Sequence, residues 1–475
     1  MSNISFDTIP ASIRKPGVYM EFNTRLAVNT LPGNPQRMLV IGPMLAEGSA
    51  TPLTPVQVFS DDEGNALFGA GSLAAAMIRA AIRANKYLQL EAIGLPEAEG
   101  VAGVAASGGL LVAGTAGKTG TLSLWIAGEA VAVNVETGDT GAVLMARLAA
   151  AMSTLFTLPV TGGIDGESAS LKITARSKGE WGNAIALSAS TTTTGLTLTV
   201  TPMADGQMDP DIQPALDAVF AAGHNVIISP FSSPGALAAL SEHLTATGSA
   251  MEQRGAVGCA GWTGSLGSGI GLAAAVNDAR ISMPWYRGSV RLPGVLAAAY
   301  GAVLAAEEDP ARPLNDQPLN GMDIVAMPQR SGRNEQESAL HNGLTPVEVG
   351  PGNTVQIVRA VSTYTVSPQG AEDVSLLDIT SIRTLDYTRK ACRDRIRLRF
   401  PNEKNTARIR DKVRSELYDV LMKLEAAEIL ENVERWRDRL IVDPSAEDPN
   451  RVDAIIPADV VNGLHVFAGR IDMIL

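Results

Sequence analysis

Residues 225–285 read NVIISPFSSPGALAALSEHLTATGSAMEQRGAVGCAGWTGSLGSGIGLAAAVNDARISMPW. Three short apolar runs, Asn225 to Ser229, Ala256 to Ala260 and Arg280 to Trp285, alternate with helical stretches at 234–247 and 270–279. A further helical stretch at 212–222 leads into the first run. Short apolar strands that alternate with helices favour a mostly parallel sheet, because each parallel crossover needs a helix-length connection. Upstream, residues 37–95 carry the same signal. Met38 to Ile41 forms a buried strand, Ser72 caps a helix that runs to Ala84, and Tyr87 to Ile93 is the next strand. The α/β pattern therefore starts, stops and resumes.

What interrupts it has a different character. Residues 100–118 are rich in Gly, Ala and Ser and read as a linker. Beyond them, Thr121 to Ile126 and Ala130 to Val135 read as strands joined across Gly128-Glu129, and Thr140 to Phe156 reads as a helix. Leu171 to Ala175, Ala184 to Ala189 and Leu196 to Thr201 are three more strands. This is a strand-rich insertion into one α/β domain. After a polar, proline-rich stretch at 308–335, Val355 to Tyr364 alternates as a strand and Asp378 to Arg399 reads as a helix. Asn405 then caps a helix striped by Ile409, Val413, Leu417, Leu421 and Leu424. Strands are expected at Ala454 to Pro457, Leu464 to Phe467 and Arg470 to Leu475. The fold class is thus α/β and α+β multidomain. The expected organisation is an extended arm at 1–36, an α/β domain at 37–100 and 205–335, an inserted domain at 101–204, a C-terminal domain at 336–463 and a terminal strand at 464–475.

The 475 residues carry a net charge of −12, which opposes direct binding to nucleic acid. Residues 381–440 stand apart, with 16 Lys/Arg against 11 Asp/Glu, a local +5 that leaves −17 for the rest. Arg393, Arg395, Arg397 and Arg399 would share one face of a strand but spread around a helix; with Lys404, Arg408 and Lys412 they form a candidate contact for an acidic partner. The alternative reading is a solvated helix face. Two distant cysteines imply no disulfide framework, and no two of the four histidines have metal-ligand spacing. MSNISFDTIP lacks the pattern of a signal peptide, and no apolar run is long enough for stable membrane insertion.

Enzymatic motifs fail on spacing. Gly117-Lys118-Thr119 ends like a phosphate-binding loop, but the required upstream glycine is Val112. Gly264, Gly267, Gly269 and Gly271 follow a strand without the dinucleotide spacing. No catalytic, metal or cofactor-binding set emerges, and no cofactor is expected. The two ends look incomplete instead. Pro10, Pro16, Pro32 and Pro35 keep the first 36 residues out of helices, while Val18, Tyr19, Met20, Glu21 and Phe22 can make a short strand. Leu464, His465, Val466, Phe467, Arg470, Ile471 and Met473 form an apolar segment that a single chain leaves uncovered. Both segments suit β-augmentation between subunits.

Motifs in order along nearly the whole chain resemble the tail sheath proteins of Mu-like contractile-tailed bacteriophages. Arg14-Lys15-Pro16-Gly17-Val18-Tyr19 resembles the family's Pro-Gly-Val-Tyr opening. Leu67-Phe68-Gly69-Ala70-Gly71-Ser72-Leu73 and Lys178-Gly179-Glu180-Trp181-Gly182-Asn183 resemble its Phe-Gly-x-Gly-Ser and Lys-Gly-x-x-Gly-Asn segments. Asn342-Gly343-Leu344-Thr345-Pro346, Ile357-Val358-Arg359-Ala360, Asp378-Ile379, Arg383-Thr384-Leu385-Asp386-Tyr387 and Arg399-Phe400-Pro401 continue the likeness. The resemblance implies a non-enzymatic subunit that polymerises with itself as hexameric rings around a tail tube protein and contracts to drive the tube through the host envelope for genome ejection. It implies terminal arms that add strands to a neighbour's C-terminal sheet. It also implies baseplate and tail terminator partners, assembly in the host cytoplasm and residence in the virion tail. The sheath of a tailocin or other injection particle is the alternative within the class, and a cytosolic nucleotide-dependent α/β enzyme the alternative outside it.

Overall fold

A computed structural model describes residues 12–20, 30–97, 103–166 and 169–474. The chain divides into two compact units, one made of Pro35–Arg383 with Gly463 onward, the other of residues up to Asn34 with Thr384–Asn462.

The first unit is organised by strand β1 (Arg37–Pro43), whose Met38 to Ile41 are fully buried. An unbroken apolar run is what a strand covered on both faces requires. The chain continues through β2 (Val56–Gln57), α1 (Asp61–Phe68), α2 (Leu73–Ala84) and β3 (Gln89–Leu95). Ser72 Oγ accepts the Ala75 amide and caps α2 as expected, supplying a partner for one of the unpaired donors of the first turn.

The insertion holds β4 (Ser107–Gly114), β5 (Gly120–Ile126), β6 (Glu129–Val135), α3 (Gly141–Thr154), β7 (Val160–Asp165), β8 (Ser170–Ala175), β9 (Leu187–Thr191) and β10 (Leu196–Ala204). They form two antiparallel sheets, in orders β10-β4-β8-β7 and β6-β5-β9. Here the linker expectation is corrected: much of 100–118 is β4, an interior strand. Its small residues serve close packing, not flexibility. A Cβ on Gly109 would lie 3.0 Å from the Leu171 carbonyl oxygen, and one on Gly141 would lie 1.8 Å from that of Val112. The β5–β6 turn centres on Ala127 (φ 49°) and Gly128 (φ 82°), one residue earlier than expected, as a tight hairpin with two left-handed residues demands.

The α/β pattern resumes with α4 (Gln213–Ala218), β11 (Val226–Ile228), α5 (Pro234–Gly248), β12 (Val257–Cys259), α6 (Leu266–Val276), β13 (Ile281–Ser282), β14 (Pro284–Trp285) and α7 (Pro293–Ala306). The six-stranded sheet has the order β13-β12-β11-β1-β3-β2, parallel except for the short edge strand β2. Strands β3 and β11, separated in sequence by the insertion, both pair with β1. Helix α7 has no counterpart in the sequence reading. Every residue from Gly294 to Ala305 is buried, so it lacks the polar face by which an amphipathic helix is recognised.

Helix α8 (Arg333–His341) and strands β15 (Thr345–Val349) and β16 (Val355–Ile357) complete this unit. β15 pairs with β14, so residues 336–383 pack with the α/β body rather than opening a C-terminal domain at 336. The strand expected over Val355 to Tyr364 stops at Ile357. Beyond it the chain is held by isolated backbone bonds, such as that from the Thr363 amide to the Ile281 carbonyl, and by side chains: Ser282 Oγ donates to the Val361 carbonyl, and Thr345 Oγ1 accepts the Val361 amide.

Helix α9 (Ile379–Arg399) leads into the second unit, followed by α10 (Ala407–Ala426), β17 (Ile441–Pro444) and β18 (Val452–Ile455). The core of that unit joins Tyr387, Ala391 and Cys392 of α9 to Leu417, Val420, Leu421 and Leu424 of α10. Thr406, not Asn405, caps α10; the Asn405 amide instead donates to the carbonyls of Pro449 and Arg451.

In the first unit, His224 Nε2 lies 2.8 Å from Glu91 Oε2, and Arg37 Nη2 donates to Glu91 Oε1 at 2.6 Å. Burial pushes His224 down, only partly offset by Glu91. Burial alone would raise Glu91, but its bonds from Arg37 and His224 outweigh that and hold it below its usual range. In the unfolded chain His224 takes up a proton below about pH 6.5, where the folded chain resists it, so stability falls as pH drops through that point. Buried His243 shares this window, and Glu91 adds a second loss below about pH 4.5. Calorimetry from about pH 8 to about pH 3 should show both stages. His224→Gln should shrink the first, and adding His243→Gln should flatten it; an unchanged slope in the double variant would contradict this account.

Candidate assembly interface

The structure describes Val18, Tyr19 and Met20 of the expected arm strand; Glu21 and Phe22 lie outside the described residues. The three form no strand, and Val18 and Met20 are each 86% exposed. Closer to the body the arm is fixed. Tyr387 Oη donates to the Pro32 carbonyl at 2.8 Å, Lys390 Nζ donates to that of Gly33 at 2.7 Å, and Leu31 packs against the core of the 384–462 unit.

The segment after Gly463 forms no strand either, which corrects the expectation for Leu464 to Phe467 and Arg470 onward. A strand needs a partner ladder, and none is present among the described residues. Leu464, Val466, Phe467, Ile471, Met473 and Ile474 are nearly bare, with Phe467 88% and Ile471 99% exposed. Arg470 pairs with Asp472 within the segment. So many bare apolar side chains in one run mark a site of association. His465 is the exception, because its side chain is turned into its own unit.

Strands β17 and β18 pair with each other through four residues, from Ile441↔Ile455 to Pro444↔Val452. Both outer edges are unpaired among the described residues, and Ile441, Val452 and Ile455 are exposed. A two-stranded hairpin with open edges is marginal alone and is a template for added strands. The strand expected at Ala454 to Pro457 lies two residues earlier, at Val452–Ile455, and β17 has no counterpart in the sequence reading, although Ile441-Val442 and Val452 to Ile455 flank a Pro- and Asn-containing turn that is a recognisable hairpin signal.

The basic cluster is divided by α9. Arg395 Nη1 donates to Glu416 Oε2 at 2.9 Å and to Asp419 Oδ2 at 2.6 Å, and its side chain is only 4% exposed. Arg399 Nε lies 3.4 Å from Glu416. These two stitch α9 to α10 and are corrected from contact residues to internal ties. Arg393 is partly buried beside Asp394. Arg397, Lys404, Arg408 and Lys412 remain on the surface.

The glycines of the two loop motifs serve packing. The Gly117 amide donates to the Thr194 carbonyl, so it is not turned toward a phosphate. A Cβ on Gly264 or Gly269 would lie 2.7 Å from the Trp262 ring, so both make room for an indole. Cys259 is buried and its thiol is pushed up by burial. Among the described residues no His/Cys/Asp/Glu group could hold a metal, and no helix is long and apolar enough to cross a membrane.

The chain matches two family descriptions, "Phage tail sheath protein central domain" over residues 206–363 and "Phage tail sheath C-terminal domain" over 371–474. It is also 31% identical, over the full length of both chains, to the Mu-like prophage FluMu tail sheath protein of Haemophilus influenzae. The chain belongs to the phage tail sheath family. Tail sheath proteins are structural subunits of the virion, so the enzyme alternative falls and the resemblance read from the sequence stands. The C-terminal match takes in α9, α10, the β17–β18 hairpin and the exposed segment alike. Among solved structures, the sheath tail protein of Desulfitobacterium hafniense shares the fold with a TM-score of 0.53 at 16% identity, covering 94% of this sheath chain and 97% of its own. The anti-feeding prophage helical sheath in its contracted state gives 0.50 at 12% identity, covering 98% and 99%.

Proposed function

We propose that this chain is the subunit of a contractile phage tail sheath, which polymerises as hexameric rings around a tail tube and shortens to drive the tube through the host envelope for genome ejection. The observation that carries the reading is a complementary pair in one chain: a bare apolar segment at 464–474 and a hairpin, β17–β18, with open edges. The segment of one subunit, and the arm around Val18 to Met20 of another, add as strands to the hairpin of a third. Arg397, Lys404, Arg408 and Lys412 face an acidic surface on the tube or a neighbour. Baseplate and terminator proteins cap the polymer, which forms in the host cytoplasm.

The energetics suit a switchable polymer. Burying six apolar side chains yields about 10–15 kcal/mol gross. Ordering the roughly ten residues that carry them costs about 1–2 kcal/mol each. One joint is therefore weak, and cohesion comes from many joints acting together. Contraction then needs no chemical fuel, because rigid bodies turn while the strand joints persist and the energy lies in the difference between two packings.

Negative-stain microscopy of the purified chain over a concentration series tests this. Rings or tubes should form without any ligand as concentration rises. A persistent monomer at high concentration would overturn the proposal.

A further inference from the structure

Within the segment 464–474, whose apolar side chains are bare, His465 alone is seated, with its side chain 14% exposed. Its ring enters a socket on its own α/β unit. Nδ1 lies within hydrogen-bond distance of the Asn315 side-chain amide, 3.0 Å from Nδ2 and 3.2 Å from Oδ1. Nε2 faces Asp378 Oδ1 at 3.5 Å. Asp378 is itself clamped, since Arg359 Nε and Nη2 donate to its two oxygens at 2.9 and 2.7 Å. Gly463 completes the fit: a Cβ there would lie 2.7 Å from Pro313 Cγ and from the His465 ring. Burial alone would raise the Asp378 carboxyl, yet the facing His465 ring and the two bonds from Arg359 hold it down at about 2, so it stays ionised.

Resting on the strand-donation reading above, we propose that this socket is a pin that fixes the root of the donated segment to the body of its own subunit, with His465 as the positioning residue. A strand inserted into a neighbour conveys displacement only when its other end is held. Beyond His465, nine residues, 466–474, are free to span up to about 30 Å. Each residue released upstream would add about 3.5 Å of slack, and the turning of one body would be taken up before it pulled the next. The pin also limits the volume the free segment searches, which raises its effective concentration at the neighbour's hairpin.

The test compares full-length wild type, His465→Ala and His465→Gln, the last keeping an amide donor toward Asp378. Cys259 and Cys392 are buried, so a nitroxide on Val466→Cys reports on the root alone. In the soluble subunit, His465→Ala should mobilise the label several-fold at an unchanged unfolding midpoint. Its polymer should form several-fold more slowly, because the root of the segment is no longer held and its effective concentration at the neighbour falls. His465→Gln should restore most of both. An unchanged label mobility in His465→Ala overturns the pin whether or not polymer forms, and so does assembly at the wild-type rate. Assembly at that rate leaves strand donation standing, whereas failure of the wild type to polymerise sinks donation itself.

Discussion

Removal of residues 466–475 is expected to abolish sheath assembly and leave the subunit folded. The deletion stops short of His465, so the socket stays filled. The described residues it removes, 466–474, contribute no side chain to either core, and stability should change by no more than about 0.5 kcal/mol. The neighbour's hairpin would lose the added ladder and the apolar cover on one edge. With each joint worth little on its own, loss of one joint per subunit in every subunit should raise the critical concentration beyond reach. Circular dichroism would confirm the fold, and sedimentation with negative-stain microscopy would read assembly. Tubes formed at the wild-type concentration would remove the donor role.

Charge reversal separates two arginines that sit two residues apart. Arg395→Glu would set a third carboxylate against Glu416 and Asp419 where a guanidinium now donates to both. Breaking a buried pair typically costs about 3–5 kcal/mol. Asp419 is partly exposed, so solvent screening lowers the expectation to about 2–4 kcal/mol for loss of the arginine, with repulsion added. For a unit of this size that lowers the unfolding midpoint by about 10 °C or more, and proteolysis at 384–462 should report it. Arg397→Glu lies on the surface and should leave stability within about 0.5 kcal/mol. With Lys404→Glu it should instead impair assembly on tubes. Assembly unchanged by the surface pair would remove the electrostatic contact, and an unaffected midpoint in Arg395→Glu would contradict the tie between α9 and α10.

The contrast between those arginines shows where sequence reading stopped. The spacing 393, 395, 397, 399 looks like one feature, but on a helix it splits into two opposite pairs, Arg395 with Arg399 toward α10 and Arg393 with Arg397 away from it. Which of them meets Glu416 and Asp419 depends on where α10 packs. Ser107–Gly114 was misread for a similar reason: glycine marks both a loose linker and a strand whose neighbours approach closely, and only the positions of Leu171 and Thr201 distinguish them. Helix α7 left no mark because burial on all sides erases the period that reveals a helix.

The sequence by itself determined the mostly parallel α/β body, its interruption by a strand-rich insertion, the two long helices near 380–426 and the family. Those follow from local signals: uninterrupted apolar strands, the Ser72 cap, the stripe on α10 and ordered motifs. It also marked 464–474 as apolar chain with nothing of its own to cover it. Tertiary structure alone decided that this segment stays unpaired while His465 does not, that β17 gives the hairpin its open edges, and that Arg395 is a tie rather than a contact. Each depends on which distant groups meet in space. Socket and ion pair are made by residues about twenty to 150 positions apart, as with Arg395 and Glu416 or His465 and Asn315, whereas the hairpin is local and only its lack of a third strand among the described residues is a tertiary fact.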